Sequence, residues 1–120
     1  MALPAKRVVR SFGYAFAGLV AILRTTPNFW LHVAAAAFAL AVAVLLALPP
    51  GDIALIVVTI ALVLVVEAFN TALEALCDVA SPAYHPLVKR AKDISAAAVL
   101  IAALAAVGVA ALLFLPRLAR

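Results

Sequence analysis

EAFNTALEALCDVASPAYHPLVKRAKD, residues Glu67 to Asp93, holds four of the chain's five carboxylates (Glu67, Glu74, Asp78, Asp93) and three of its nine cations (Lys89, Arg90, Lys92). Almost pure hydrocarbon flanks it. IALIVVTIALVLVV (Ile53 to Val66) leads into Glu67, and SAAAVLIAALAAVGVAALLFL (Ser95 to Leu115) begins two residues after Asp93. Charge set between two segments of membrane grade is costly to place. How the chain accommodates it decides the fold.

Composition names the solvent. At 120 residues the chain fits one domain, residues 1–120. Its hydrophobic fraction is 70% and its charged fraction 12%, against about 45–50% and about 25% for soluble proteins. A chain this small cannot enclose so much apolar surface, so lipid must solvate most of it. The net charge of +4 and pI near 9.9 raise the question of nucleic acid. The cations, however, sit at the ends of apolar segments, which suits membrane anchoring and topology rather than a phosphate-tracking groove. No nucleic-acid partner is expected. Cys77 is the lone cysteine, which excludes an intrachain disulfide and leaves no Cys/His set of zinc spacing. Lys6, Arg7 and Arg10 imitate the basic start of a signal peptide, but Arg24 interrupts the apolar run that follows, and no cleaved signal is expected.

Taken in order, residues 1–10 read as a basic arm. Residues 11–24 then place Phe12, Phe16, Leu19, Val20 and Leu23 on one helical face. The apolar part, Ser11 to Leu23, falls short of the roughly 20 residues a span needs, and predicts an amphipathic helix lying in the interface. Pro27 disfavours helix at Thr26. A first spanning helix is expected over 29–48, with Trp30 and His32 near its interfacial end. The turn PPGD (Pro49 to Asp52) follows, then a helix over 53–78 and the loop SPAYHP (Ser81 to Pro86). A last helix is expected over 93–115, stopped by Pro116. The fold class is thus an all-α membrane protein with a surface helix and three spans.

Three spans put Lys6, Arg7, Arg10 and Arg24 on the same side as Lys89, Arg90 and Lys92, leaving only Arg117 and Arg120 opposite. That bias predicts a cytoplasmic N-terminus and an outer C-terminus in the cell membrane. The alanine-rich spans favour close helix packing, including with other copies of the chain. Alanine in any one position is equally explained by coding bias at a lipid-facing site.

Glu67, Asn70, Glu74 and Asp78 fall at i, i+3, i+7 and i+11, one stripe of the second span, with Thr71 beside them. Fourteen residues of helix from Ile53 cover about 21 Å, which leaves Glu67 inside a hydrocarbon core of about 30 Å. Glu74, two turns on, reaches the headgroups. The alternative is a helix ending at Val66 with Glu67 at the surface, but that span is short of the usual 17–25 residues or so. Asp78 reads as a solvated carboxylate near a helix end.

A desolvated carboxylate suits proton abstraction. A carboxylate in the wet interface suits magnesium, which takes oxygen donors and keeps waters and phosphates as partners. Asn70 can donate and accept between the two, and Lys92 offers a cation to phosphate on the same side. Base inside with metal and cation outside describes phosphoryl transfer to a lipid hydroxyl at the interface. No Walker-type glycine loop or soluble-kinase signature accompanies it.

ExxNTAxExxxD (Glu67 to Asp78) followed by SPxYHPLxKxAKDxxAAAVL (Ser81 to Leu100) closely resembles the prokaryotic diacylglycerol kinase family, which includes undecaprenol kinases. RxxxSFGYAxxGL (Arg7 to Leu19) and LRTxxNFxxH (Leu23 to His32) extend the likeness over nearly the whole chain. The resemblance implies a homotrimeric lipid kinase with three spans and a surface helix per chain, using ATP and magnesium at sites shared between neighbouring subunits. It implies Glu67 as general base for the lipid hydroxyl, Glu74 as magnesium ligand and Asn70 in support of both. It also implies nucleotide contacts from Lys92 and Asp93, from Tyr84 and His85 in the loop, and from Arg7 and Tyr14 near the N-terminus.

One position departs from the family pattern. RTExNF is expected, with its glutamate a second metal ligand, and the chain reads RTTPNF with Thr26 in the acidic place; Trp30 stands where arginine is frequent. The loop SPAYHPLVKRAKD looks more like the undecaprenol kinase branch, which favours a polyprenol over diacylglycerol as substrate. The competing reading is a non-catalytic or degenerate member, or a small proton-coupled transporter, for which an intramembrane glutamate alone would serve.

Overall fold

The computed structural model describes residues 4–120. It is entirely helical: α1 (Ala5–Thr25), α2 (Pro27–Leu45), α3 (Pro50–Ala80) and α4 (Pro86–Leu118). All four are long and apolar enough to cross a membrane. The expected break at Thr26 is present, with that single residue extended (φ −122°, ψ 93°) between two helices. Pro27 produces it and then opens α2, where a missing N–H costs nothing. Trp30 Nε1 donates 2.7 Å back to the Leu23 carbonyl, satisfying one of the carbonyls that the end of α1 leaves unpaired. Ile22 and Phe29 are buried in that corner.

Five expected boundaries need correction. α1 begins at Ala5, so most of the supposed basic arm is helical, while its first three residues lie outside the described ones. At 21 residues α1 is no longer too short to span. α2 ends at Leu45 rather than Leu48, and Pro50, Gly51 and Asp52 form the first turn of α3 instead of a loop. Proline is preorganised for a first helical turn, and Asp52 there meets the positive end of the helix dipole. α4 likewise starts at Pro86, with His85 Nδ1 accepting from the Leu87 N–H at 3.1 Å as its cap. It then runs past Pro116 to Leu118. Proline removes one backbone hydrogen bond there, and the last turn of a helix has unpaired carbonyls anyway.

Between α2 and α3 the chain reverses in a tight cap. Leu48 N–H bonds to Ala43 O and Ala47 N–H to Val44 O, both at 3.0 Å, the Schellman pattern. Ala47 takes the left-handed conformation (φ 52°) that this cap requires and glycine prefers. Ala43 and Leu48 are buried together against Ile56 of α3, with Leu113 and Phe114 of α4 alongside. The end of α2, the start of α3 and the end of α4 therefore meet at one level, and these three helices alternate in direction.

α3 packs most extensively on α4, α2 on α3, and α1 on α2. Little else is covered. Phe12, Phe16, Leu19, Phe38, Phe69, Leu104 and Leu112 are all exposed, and none of the described large side chains is fully buried. An apolar surface this open needs lipid or other helices against it. α3 and α4, with 31 and 33 residues, reach about 46 and 50 Å at about 1.5 Å per residue, beyond a hydrocarbon core of about 30 Å. The charged end of each, far from the Ala43–Ile56 cluster, extends past that core.

Candidate active site

One unbroken α3 carries the whole carboxylate stripe, so the alternative in which the helix ends at Val66 fails. Along the stripe the environment changes from dry to wet. Glu67 is only 4% exposed, Asn70 is half-buried, and Glu74 and Asp78 are exposed. Four residues of this face are tied to neighbouring segments. His32 of α2 brings Nε2 to 3.7 Å from Glu67 Oε2. Thr26, at the α1–α2 corner, sets its hydroxyl 3.4 Å from that of Thr71. Ser95 of α4 donates to Asn70 Oδ1 at 2.8 Å. Lys92 Nζ, also of α4, reaches Asp78 Oδ1 at 2.6 Å.

Thr71 sits four residues after Glu67 and three before Glu74, adjacent to both on the helix surface. The Thr26–Thr71 contact therefore seats Thr26 against the carboxylate stripe, at a position where an acidic side chain would face it. Two neutral hydroxyls meet there instead.

Asp78 is thus no merely solvated carboxylate. Its hydrogen bond holds the Lys92 ammonium above its ordinary pKa of 10.5 against an opposing desolvation, and the negative charges of Asp78 and Glu74 add to the effect. Asp93 is paired with Lys89 one turn earlier, Nζ to Oδ2 2.6 Å. Both expected nucleotide-contacting side chains of α4 are therefore engaged within the protein. Both pairs are exposed and screened by solvent, which makes them weak, so an incoming phosphate can displace them readily.

Glu74 makes no ion pair among the described residues, and no three His, Cys, Asp or Glu side chains converge there on a possible metal position. An exposed, unpaired carboxylate at the water edge fits magnesium bound by one protein carboxylate with phosphates and waters completing the shell. Tyr84 is exposed in the α3–α4 loop, and His85 uses Nδ1 as the α4 cap. Arg7 and Tyr14 are exposed on α1, and no side-chain hydrogen bond or ion pair joins them to the stripe among the described residues.

His32, Thr71 and Ser95 were not singled out from the sequence as site residues. Ser95 opens a long apolar run and lies two residues after Asp93; His32 is the one polar interruption in the first span. A lone polar side chain in a span was the available signal, but its partner 25 or 35 residues away was not.

An all-helical membrane protein with an acidic stripe at one end of its helices is the class so defined. A sequence model of prokaryotic diacylglycerol kinase matches residues 13–114. A diacylglycerol kinase of Synechocystis is 41% identical over 115 residues, covering 95% of this chain and 66% of that protein. An undecaprenol kinase of Bacillus subtilis is 36% identical over 112 residues, covering 93% and 91%. A diacylglycerol kinase of Escherichia coli is 36% identical over 101 residues, covering 84% and 83%. The chain belongs to the prokaryotic diacylglycerol kinase family, and by that membership it is a membrane lipid kinase.

Proposed function

We propose that the protein transfers the γ-phosphoryl group of ATP to the hydroxyl of a membrane lipid at the cytoplasmic interface, with Glu67 as general base. One observation carries the reading: a single helix face bears a dry carboxylate, Glu67, and two turns later a wet one, Glu74. The dry group takes the proton of the lipid hydroxyl as its oxygen attacks phosphorus. Asn70, steadied by Ser95, lies between the two levels and orients the groups on either side. Lys92 leaves Asp78 to meet the phosphates, and Asp93, Tyr84, His85, Arg7 and Tyr14 complete the nucleotide's contacts. Glu74 would hold magnesium, which when bound offsets charge on the phosphates.

The related kinases are named for two lipids, diacylglycerol and undecaprenol. Both present a primary hydroxyl at the interface, and the α3–α4 loop favours the polyprenol. In the membrane α1 lies as a surface helix beside three spans, N-terminus cytoplasmic and C-terminus outside, and the chain works as a homotrimer. The exposure of Phe12 and Phe16 on α1 and of Phe38 and Leu112 on the bundle supports that arrangement, since partner helices and lipid would cover them.

The test is transfer of labelled phosphate from ATP to each lipid in mixed micelles across a range of magnesium concentrations. Label is expected in lipid, more in undecaprenol than in diacylglycerol. No transfer to either rejects the kinase reading in favour of a degenerate member, for which the Thr26–Thr71 hydroxyl contact in place of an acid speaks. Proton-coupled flux in ATP-free vesicles would instead support a transporter.

A further inference from the structure

The carboxylate of Glu67 is buried, its side chain 6% exposed, and its one ion-pair partner among the described residues is His32. The His32 side chain is 25% exposed and also forms part of the wall of an apolar cavity of about 250 Å³ between α2, α3 and α4. Thr59 is the only other polar side chain in that wall, and its hydroxyl is committed to the Leu55 carbonyl at 2.7 Å. Within that wall His32 is therefore the polar side chain not committed to the backbone, and its Nε2 faces Glu67. A buried carboxylate needs a donor, and the imidazole supplies one from Nε2 in either its neutral tautomer protonated there or its cationic form. The 3.7 Å separation is an ion-pair distance rather than a hydrogen bond. Catalytic contacts of this kind commonly tighten only when substrate closes the site.

We infer that His32 is a positioning residue for Glu67, holding its carboxylate in the orientation that receives the lipid hydroxyl proton. The inference rests on the reading of Glu67 as base. It also gives the polar interruption in α2 a purpose that packing does not: a leucine would fill the same volume in a helix facing an apolar cavity.

The experiment compares kcat and KM for His32→Leu, His32→Gln, His32→Asn, Glu67→Gln and the double variant His32→Leu/Glu67→Gln, with helicity and thermal midpoint followed in detergent. Leucine removes the donor, and kcat is expected to fall roughly 10–100-fold with KM for ATP unchanged, the scale of a misplaced catalytic group. Glutamine keeps a donor at similar reach and restores most of the rate. Asparagine keeps the donor but shortens the reach; at an unchanged thermal midpoint it lowers kcat on this account, and a wild-type kcat in it overturns the inference, which keeps the question decidable should the leucine variant not fold. In the double variant the leucine has no further effect, because the group it positions is gone. An inactive Glu67→Gln beside a fully active His32→Leu overturns the inference alone. Full activity in Glu67→Gln overturns the base reading and this inference with it.

Discussion

At the scale of single residues, the site is a stripe of side chains on α3, four of them met from a neighbouring segment while Glu74 stands unpaired among the described residues. Glu67 faces His32, Asn70 faces Ser95, Thr71 faces Thr26 and Asp78 faces Lys92. Thr26→Glu places a carboxylate beside Thr71 and, through it, beside Glu74; it should lower the magnesium concentration for half-maximal transfer several-fold, by adding the second carboxylate such sites often use. An unchanged or raised requirement would mean that the Thr26 position does not serve the metal. Ala47 sits at the other end of the molecule and bears on stability alone. Its left-handed backbone costs an alanine about 1–2 kcal/mol, of which glycine's greater unfolded freedom returns about 0.4–1 kcal/mol. Ala47→Gly is expected to raise stability by about 0.5–1 kcal/mol, seen as a higher thermal midpoint in detergent with activity unchanged.

At the scale of elements, the Lys92–Asp78 pair joins α4 to α3 beyond the apolar segments, close to the loop that His85 ends by capping α4. Because the Lys92 pKa is raised in the folded protein, this clamp is fully present below about pH 10.5 and is lost as pH rises through the raised value. The difference in thermal midpoint between wild type and Asp78→Ala should therefore be constant from pH 7 to 9 and shrink above 10.5. A difference that already shrinks between pH 7 and 9 would refute the pairing. Helix identity and order were legible from hydrophobic runs and prolines, as at Thr26–Pro27. Boundaries were less so, because Pro27, Pro50 and Pro86 read as breaks when each is also the first residue of the next helix. The acidic stripe was legible because its period lies within one helix. His32 and Ser95 were not, because packing of three helices, rather than any local spacing, brings them to Glu67 and Asn70.

At the scale of the whole molecule, a chain with so few buried large side chains is incomplete without its surroundings. If sites are shared in a homotrimer, the detergent-corrected mass should be three times 12.4 kDa, and mixing catalytically dead chains with wild type should lower activity in a non-linear way; a strictly monomeric, active protein would contradict that assembly. As the proposed base, Glu67 would take the proton from a lipid hydroxyl while ATP phosphorylates that oxygen. The decisive measurement is the initial rate of labelled phosphate transfer to undecaprenol and diacylglycerol in mixed micelles, for wild type and Glu67→Gln at saturating ATP and magnesium. Label is expected in lipid for the wild type, with a rate roughly 10²–10⁴-fold lower for the variant and nucleotide binding retained. Equal rates for the two proteins would rule Glu67 out as the base.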